Sequence, residues 1–255
     1  MSRKSRTLYK APSVEELAEK YKGTNVCIVA QGPSGKRDLS QYSDADDPDC
    51  PNEPWFIWTQ NGGWVTHTYS SLGFIMDDLR CDVWDNIKRF TRGEIEAIVK
   101  NAKIPLVTSK SYPEYPALVE FPLKQAMDTL PKINKSLNLN ETINYMVACA
   151  IMWGVKRLDL WGVDYLTPEG VPIRPDKRAC CELWLGMAAM AGIQIRTYAG
   201  SDLLRYGLHH PDTEIEGVYG YQQSGLPENV LDSLELIGAG RAQIKVGTSG
   251  RSRDA

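Results

Sequence analysis

Apolar and polar residues fall along this chain in two kinds of block: short continuous apolar runs, and longer stretches with helical spacing. The first run, Val26-Cys27-Ile28-Val29-Ala30, has the length and composition of a strand covered on both faces. A helix is expected before it, from Ser13 to about Tyr21. Ser13-Val14-Glu15-Glu16 has the form of a capping box, and Gly23 is the stop signal. Residues 55–59 and 73–76 predict two further strands, and a helix is expected across 86–101. Ile104-Pro105-Leu106-Val107-Thr108 then reads as a strand with its proline near the start. Asn140 is placed to cap a helix through 141–153, with Ile143, Met146, Val147, Ala150 and Ile151 on one face and Gly154 at its end. Residues 158–163 form the next expected strand, 179–191 a second strongly apolar helix, and 193–198 a last strand.

Strands alternating with helices imply crossover connections between parallel strands. The fold class expected is therefore α/β: one domain with a Rossmann-like, mostly parallel sheet and helices on both faces. Residues 1–222 are read as the nucleotide-binding catalytic domain. Residues 223–255 are a C-terminal extension whose last part, 245–255, has the composition of a flexible tail. Residues 40–54, rich in Asp and Pro, are expected as an exposed loop.

Charge narrows the partners. With 29 Lys plus Arg against 32 Asp plus Glu, the net charge is −3, which argues against a broad electrostatic grip on nucleic acid. A local basic groove, with Lys88, Arg89 and Arg92 as its candidates, stays open. The six cysteines form no Cys-x-x-Cys pair and read as reduced thiols of a cytoplasmic protein. The basic N-terminus leads to no apolar stretch, so no secretory signal is expected. No run reaches the ~18–20 apolar residues that cross a bilayer, so no membrane span is expected. A homo-oligomer is compatible with all of this.

In an open parallel sheet, ligands collect beyond the carboxyl ends of the strands. The polar residues after each expected strand thus make one rim: Gln31 to Gly35, Gln60 to Gly63, Asp77 with Asp78, Ser109 to Tyr115, and Asp164 with Tyr165. Gly32-Pro33-Ser34-Gly35 can offer amides and a hydroxyl to a phosphate or ribose, or can simply reverse the chain. Asp77 and Asp78 have the hard oxygen donors that Mg²⁺ or Mn²⁺ takes, and equally the residue type that caps helices. Lys110, Tyr112 and Tyr115 suit a departing phosphate, or a rigid surface loop. Asp164 is a candidate base, ribose contact or cap. The three histidines, His67, His209 and His210, lack the spacing of a zinc site.

Val29-Ala30-Gln31-Gly32-Pro33-Ser34 resembles the Gly-Asn-Gly-Pro-Ser turn of bacterial sialyltransferases that use CMP-sialic acid, and of the related MptE-like proteins. Asn140-Glu141-Thr142-Ile143-Asn144-Tyr145-Met146, with Leu160-Trp161-Gly162-Val163-Asp164, resembles their second signature of helix, strand and Gly-x-Asp. The chain is also similar to uncharacterised phage proteins of this group across 104–123 and 178–192. The resemblance implies a nucleotide-sugar-dependent glycosyltransferase, with a hydroxymethylated pyrimidine of phage DNA or a surface glycan as acceptor. It implies nucleotide contacts from Gln31, Gly32, Pro33, Ser34, Asn61, Asn140, Glu141 and Thr142, and leaving-phosphate contacts from Tyr112 and Tyr115. The histidine base of the sialyltransferases has no counterpart in 166–182, so Asp164, Asp176 or Glu182 would take that part. Two alternatives are a Mg²⁺-dependent diphosphokinase acting on a hydroxymethyl group through Asp77 and Asp78, and a non-catalytic nucleotide-binding module.

Overall fold

The computed structural model describes residues 8–32, 55–80, 92–132, 135–165, 174–197, 201 and 203–204. The chain runs α1 (Val14–Tyr21), β1 (Asn25–Val29), β2 (Trp55–Gln60), α2 (Gly63–Thr66), β3 (Ser70–Ile75), α3 (Arg92–Lys100) and β4 (Leu106–Thr108). It continues through β5 (Leu118–Glu120), α4 (Leu123–Thr129), α5 (Thr142–Trp153), β6 (Arg157–Trp161), α6 (Pro175–Met190) and β7 (Gln194–Thr197). The strands form one sheet in the order β5-β4-β3-β2-β1-β6-β7, and every pairing is parallel. This is a Rossmann-like α/β domain. From β1 the chain steps outward to β5, and α5 then returns it to the other side of β1. The direction of winding therefore reverses between β1 and β6, where a crevice opens beyond the strand ends.

Side chains alternate across the sheet, and each face has its own cover. Val26, Ile28, Leu72, Phe74, Leu158 and Leu160 join one core with residues of α1, α4, α5 and α6. Ile75 and Leu106 point the other way, into a second core with Val99 of α3. Trp64 of α2 lies on that second face against Gly73, where an added Cβ would stand 2.8 Å from its ring. Tyr21 sits among Phe56, Trp58 and Trp153, with ring centroids 5.1–5.8 Å away. Edge and stacked contacts of this kind add to the area they bury.

The expected one-sided pattern understates α5. Asn144, Ala148 and Cys149 are buried along with the apolar stripe, because the helix packs on α1, α4 and α6 as well as the sheet. Asn140 is not its cap. Glu141 holds that position with extended backbone, while Asn140 Oδ1 accepts from Asn144 Nδ2 at 2.8 Å. The capping box of α1 is present as expected. The described part of the helix expected from 86 begins at Arg92, and α6 starts at Pro175, earlier than the apolar stretch indicated. Cys27, Cys149 and Cys181 are buried thiols. Among the described residues no helix is long and apolar enough to cross a membrane. The loop at 40–54, the boundary expected at 222, and Lys88, Arg89, His209 and His210 lie outside the described residues.

Candidate functional site

Beyond their last ladder bonds, β1 and β6 stay joined. The Ala30 N–H donates to the Trp161 carbonyl and the Gly32 N–H to the Gly162 carbonyl, each at 2.8 Å. The two turns cross so closely that a Cβ on Gly32 would stand 2.5 Å from both the Gly162 carbonyl oxygen and Asp164 Oδ2. Only glycine fits there. Gln31 ties the crossing to the next strand, its Nε2 donating to the Asn61 carbonyl at 2.9 Å. Above this crossing lies a cleft of about 160 Å³, lined by Gln31, Gly32, Gln60, Glu141, Ile143, Gly162, Asp164, Tyr165 and Arg174 among others. It stands at the point where the winding direction reverses, the usual ligand position in open α/β sheets.

Two helix starts contribute to the same cleft. Glu141, the N-cap of α5, makes no side-chain capping bond, and its carboxylate instead accepts from the buried Tyr165 hydroxyl. Burial pushes the Glu141 carboxyl above its usual range. The Tyr165 hydroxyl, Arg174 and Lys177 oppose that rise, and Asp176 adds to it. The Tyr165 hydroxyl is itself pushed far up, by burial first and then by Cys181 and Glu141. Arg174 takes a left-handed conformation, φ 53°, immediately before Pro175 opens α6. Lys177 in the first turn of α6 donates to the Asn140 carbonyl and so fixes the approach to α5.

Of the residues singled out from sequence, Gln31, Gly32, Glu141 and Asp164 are brought together in this cleft. Pro33 and Ser34 lie outside the described residues. Asn61 meets the cleft through its backbone contact with Gln31, Thr142 begins α5, and Asn140 is turned to Asn144. Asp176 is exposed on α6. Glu182 is buried and paired with Arg178, Nε to Oε1 3.0 Å.

Lys110, Tyr112, Tyr115, Asp77 and Asp78 gather elsewhere on the rim, at the ends of β3 and β4. Adjacent strands lie ~4.8 Å apart, so β4 is roughly 14 Å from β1. There the Tyr112 hydroxyl donates to Asp78, and the Arg80 N–H donates to the same carboxylate at 2.9 Å. The Arg80 guanidinium lies 4.0 Å from the Tyr112 ring centroid and pairs with Glu114. Among the described residues no group of three or more His, Cys, Asp or Glu could hold a metal ion, so Asp77 and Asp78 gain no third ligand of those types there. Arg174 is the cleft residue that sequence reasoning missed. Its one local signal is Pro175, a favoured first helical residue.

No protein-family model matches the chain, and no curated protein matches its sequence. Similar solved structures are those of the sialyltransferase CstII from Campylobacter jejuni. One, with cytidine-5'-monophosphate, has a TM-score of 0.40 and 12% identity over 72% of this chain and 83% of that chain. Another, with the substrate analogue CMP-3FNeuAc, has a TM-score of 0.36 and 13% identity over 68% and 79%. A CstII structure with a trisaccharide acceptor and CMP has a TM-score of 0.37 and 14% identity over 68% and 80%. Likeness of this degree says nothing about ligand or reaction.

Proposed function

We propose that this chain is a nucleotide-sugar-dependent glycosyltransferase whose donor lies in the cleft between the ends of β1 and β6. The observation that carries the reading is the glycine crossing. Gly32 brings main chain from two strands into contact beneath a cleft that also holds polar groups from the starts of two helices. Close backbone approach of this kind suits a ligand with a phosphate chain. Gly32, from the turn motif that resembles the sialyltransferases, meets Gly162, from the Gly-x-Asp motif Gly162-Val163-Asp164, at that crossing.

In this reading Gln31, Gly32 and the following Pro33 and Ser34 hold the nucleotide, with Asn61, Asn140 and Thr142 supporting its surroundings. Arg174 faces the phosphate and stabilises the charge that develops on it. The acceptor hydroxyl oxygen bonds to the anomeric carbon as the bond from that carbon to the phosphate oxygen breaks. The nucleotide leaves with the electron pair, and a cleft carboxylate takes the hydroxyl proton. The acceptor offers a hydroxyl, as a glycan or a hydroxymethylated pyrimidine does.

The test is incubation with a panel of nucleotide sugars and hydroxyl acceptors, following released nucleotide. Release with one donor is expected, and silence across the panel overturns the reading. Tight nucleotide retention without turnover would point to a binding module. Diphosphokinase chemistry would draw on Asp77 and Asp78 with Mg²⁺, but Asp78 already accepts bonds from Tyr112 and Arg80. A chelator added to the same assay separates that case.

A further inference from the structure

We infer that Glu141 is the general base of this site and that Tyr165 is its positioning residue, an assignment that rests on the glycosyl-transfer reading above. Among the carboxylates considered from sequence, Asp176 is exposed and Glu182 is paired with Arg178. Asp164 packs on the Gly32 turn, with Oδ2 at the spot a Cβ would need. That places it beside the main chain assigned to the nucleotide, where a second anion faces the leaving phosphate. Glu141 enters the cleft from a different element, the start of α5, and its capping position leaves the carboxylate without a bond to its own helix.

The surroundings of Glu141 suit proton transfer. One carboxylate oxygen accepts from Tyr165, which restrains the group and leaves the other oxygen to accept a proton. Burial raises the carboxyl above its ordinary range, toward the pH at which a base both ionises and binds a proton usefully. The charged and titratable groups around it are Tyr165, Arg174, Lys177, Asp176 and Cys181. During transfer the acceptor O–H bond breaks, its proton passes to the Glu141 carboxylate, and the oxygen forms the glycosidic bond. The nucleotide departs with the electron pair, and Glu141 then returns its proton to water.

The sign is fixed by the charge needed. Glu141 must be ionised, so kcat/KM falls as pH drops through a value above the ordinary 4.5 of a glutamate. The Tyr165 hydroxyl stabilises the ionised form, so Tyr165→Phe moves that acid limb to higher pH. Glu141→Gln, nearly the same in shape, lowers kcat by about 10²–10⁴-fold. Its nucleotide affinity by calorimetry stays within about threefold. Asp164→Asn retains the acid limb whatever it does to the rate.

The experiment is the pH–rate profile of nucleotide release for the full-length chain and these three variants, with nucleotide binding measured alongside. A Glu141→Gln protein that turns over with the wild-type acid limb overturns the base assignment and leaves the glycosyl-transfer reading intact. So does one that loses nucleotide affinity but keeps kcat, which would make Glu141 a ribose or base contact. No release by the wild-type chain from any donor sinks both. Should Glu141→Gln not fold, Tyr165→Phe decides: an unmoved limb overturns the assignment.

Discussion

Replacing Gly32 by alanine tests the closest contact in the structure. The new methyl group would stand 2.5 Å from the Gly162 carbonyl oxygen and from Asp164 Oδ2. Even the closest favourable carbon–oxygen contacts are about 3.3 Å, so each oxygen must withdraw by roughly 0.8 Å. The Asp164 side chain can rotate, but the Gly162 oxygen belongs to the main chain and already accepts from the Gly32 N–H at 2.8 Å. Overpacking costs about 1–3 kcal/mol and loss of the hydrogen bond about 0.5–1.5 kcal/mol. Restricting the unfolded chain returns about 0.4–1 kcal/mol. The net destabilisation is about 1–4 kcal/mol, or roughly 3–12 °C in Tm for a domain this size. Differential scanning fluorimetry reads that shift, and calorimetry should show nucleotide affinity at least tenfold weaker. Gly186, inside α6 with nothing within 4 Å, is the control, and Gly186→Ala should stabilise by about 0.5–1 kcal/mol. A Gly32→Ala protein with wild-type Tm and unchanged nucleotide affinity would refute the crossing as described.

Other perturbations test separate parts. Ser13→Ala removes the acceptor for the Glu16 N–H, 3.2 Å from Ser13 Oγ, and should cost about 1 kcal/mol in urea unfolding. Asp159, 1% exposed, accepts from Arg157 Nε at 3.0 Å and from Arg196 Nε at 2.8 Å. Asp159→Ala removes the buried carboxylate that Arg157 and Arg196 share and should cost about 3–5 kcal/mol by the same assay. Tyr112→Phe removes the first cause of the low Asp78 carboxyl pKa, so an NMR titration should show that carboxyl moving back up. Its sign on stability follows: the contribution of Asp78 is present above its unfolded pKa and lost as pH falls through the lower folded value.

β1 was the most legible strand: it is buried along its whole length, and Val26 to Ala30 reads as an unbroken apolar run. β6 is equally buried, but Arg157 and Asp159 interrupt it, so only Leu158, Leu160 and Trp161 carried its apolar pattern. β5, three residues long, follows a proline-rich loop and has an exposed glutamate at its end, so periodicity could not find it. The rim was foreseen because it depends only on polar residues following strands. Its division into two groups was not, since the distance between Asp164 and Tyr112 depends on strand order. That order requires knowing that β6 pairs with β1, a long-range choice no local pattern encodes. Arg174 escaped because its place depends on its own left-handed conformation ahead of Pro175, which no hydrophobic periodicity marks.

The central position of β1 also dictates timing at the ribosome. Asn25 pairs with Trp55 early, but its opposite edge is matched only by Arg157. At roughly 5–20 residues per second, that edge waits many seconds for its partner to be synthesised. Its apolar residues wait too, since α5, which covers Val26 and Ile28, ends just before β6. A nascent chain halted before β6 would therefore present a sticky, half-finished sheet to chaperones and could hold no ligand at all, which ties competence to completion of nearly the whole domain.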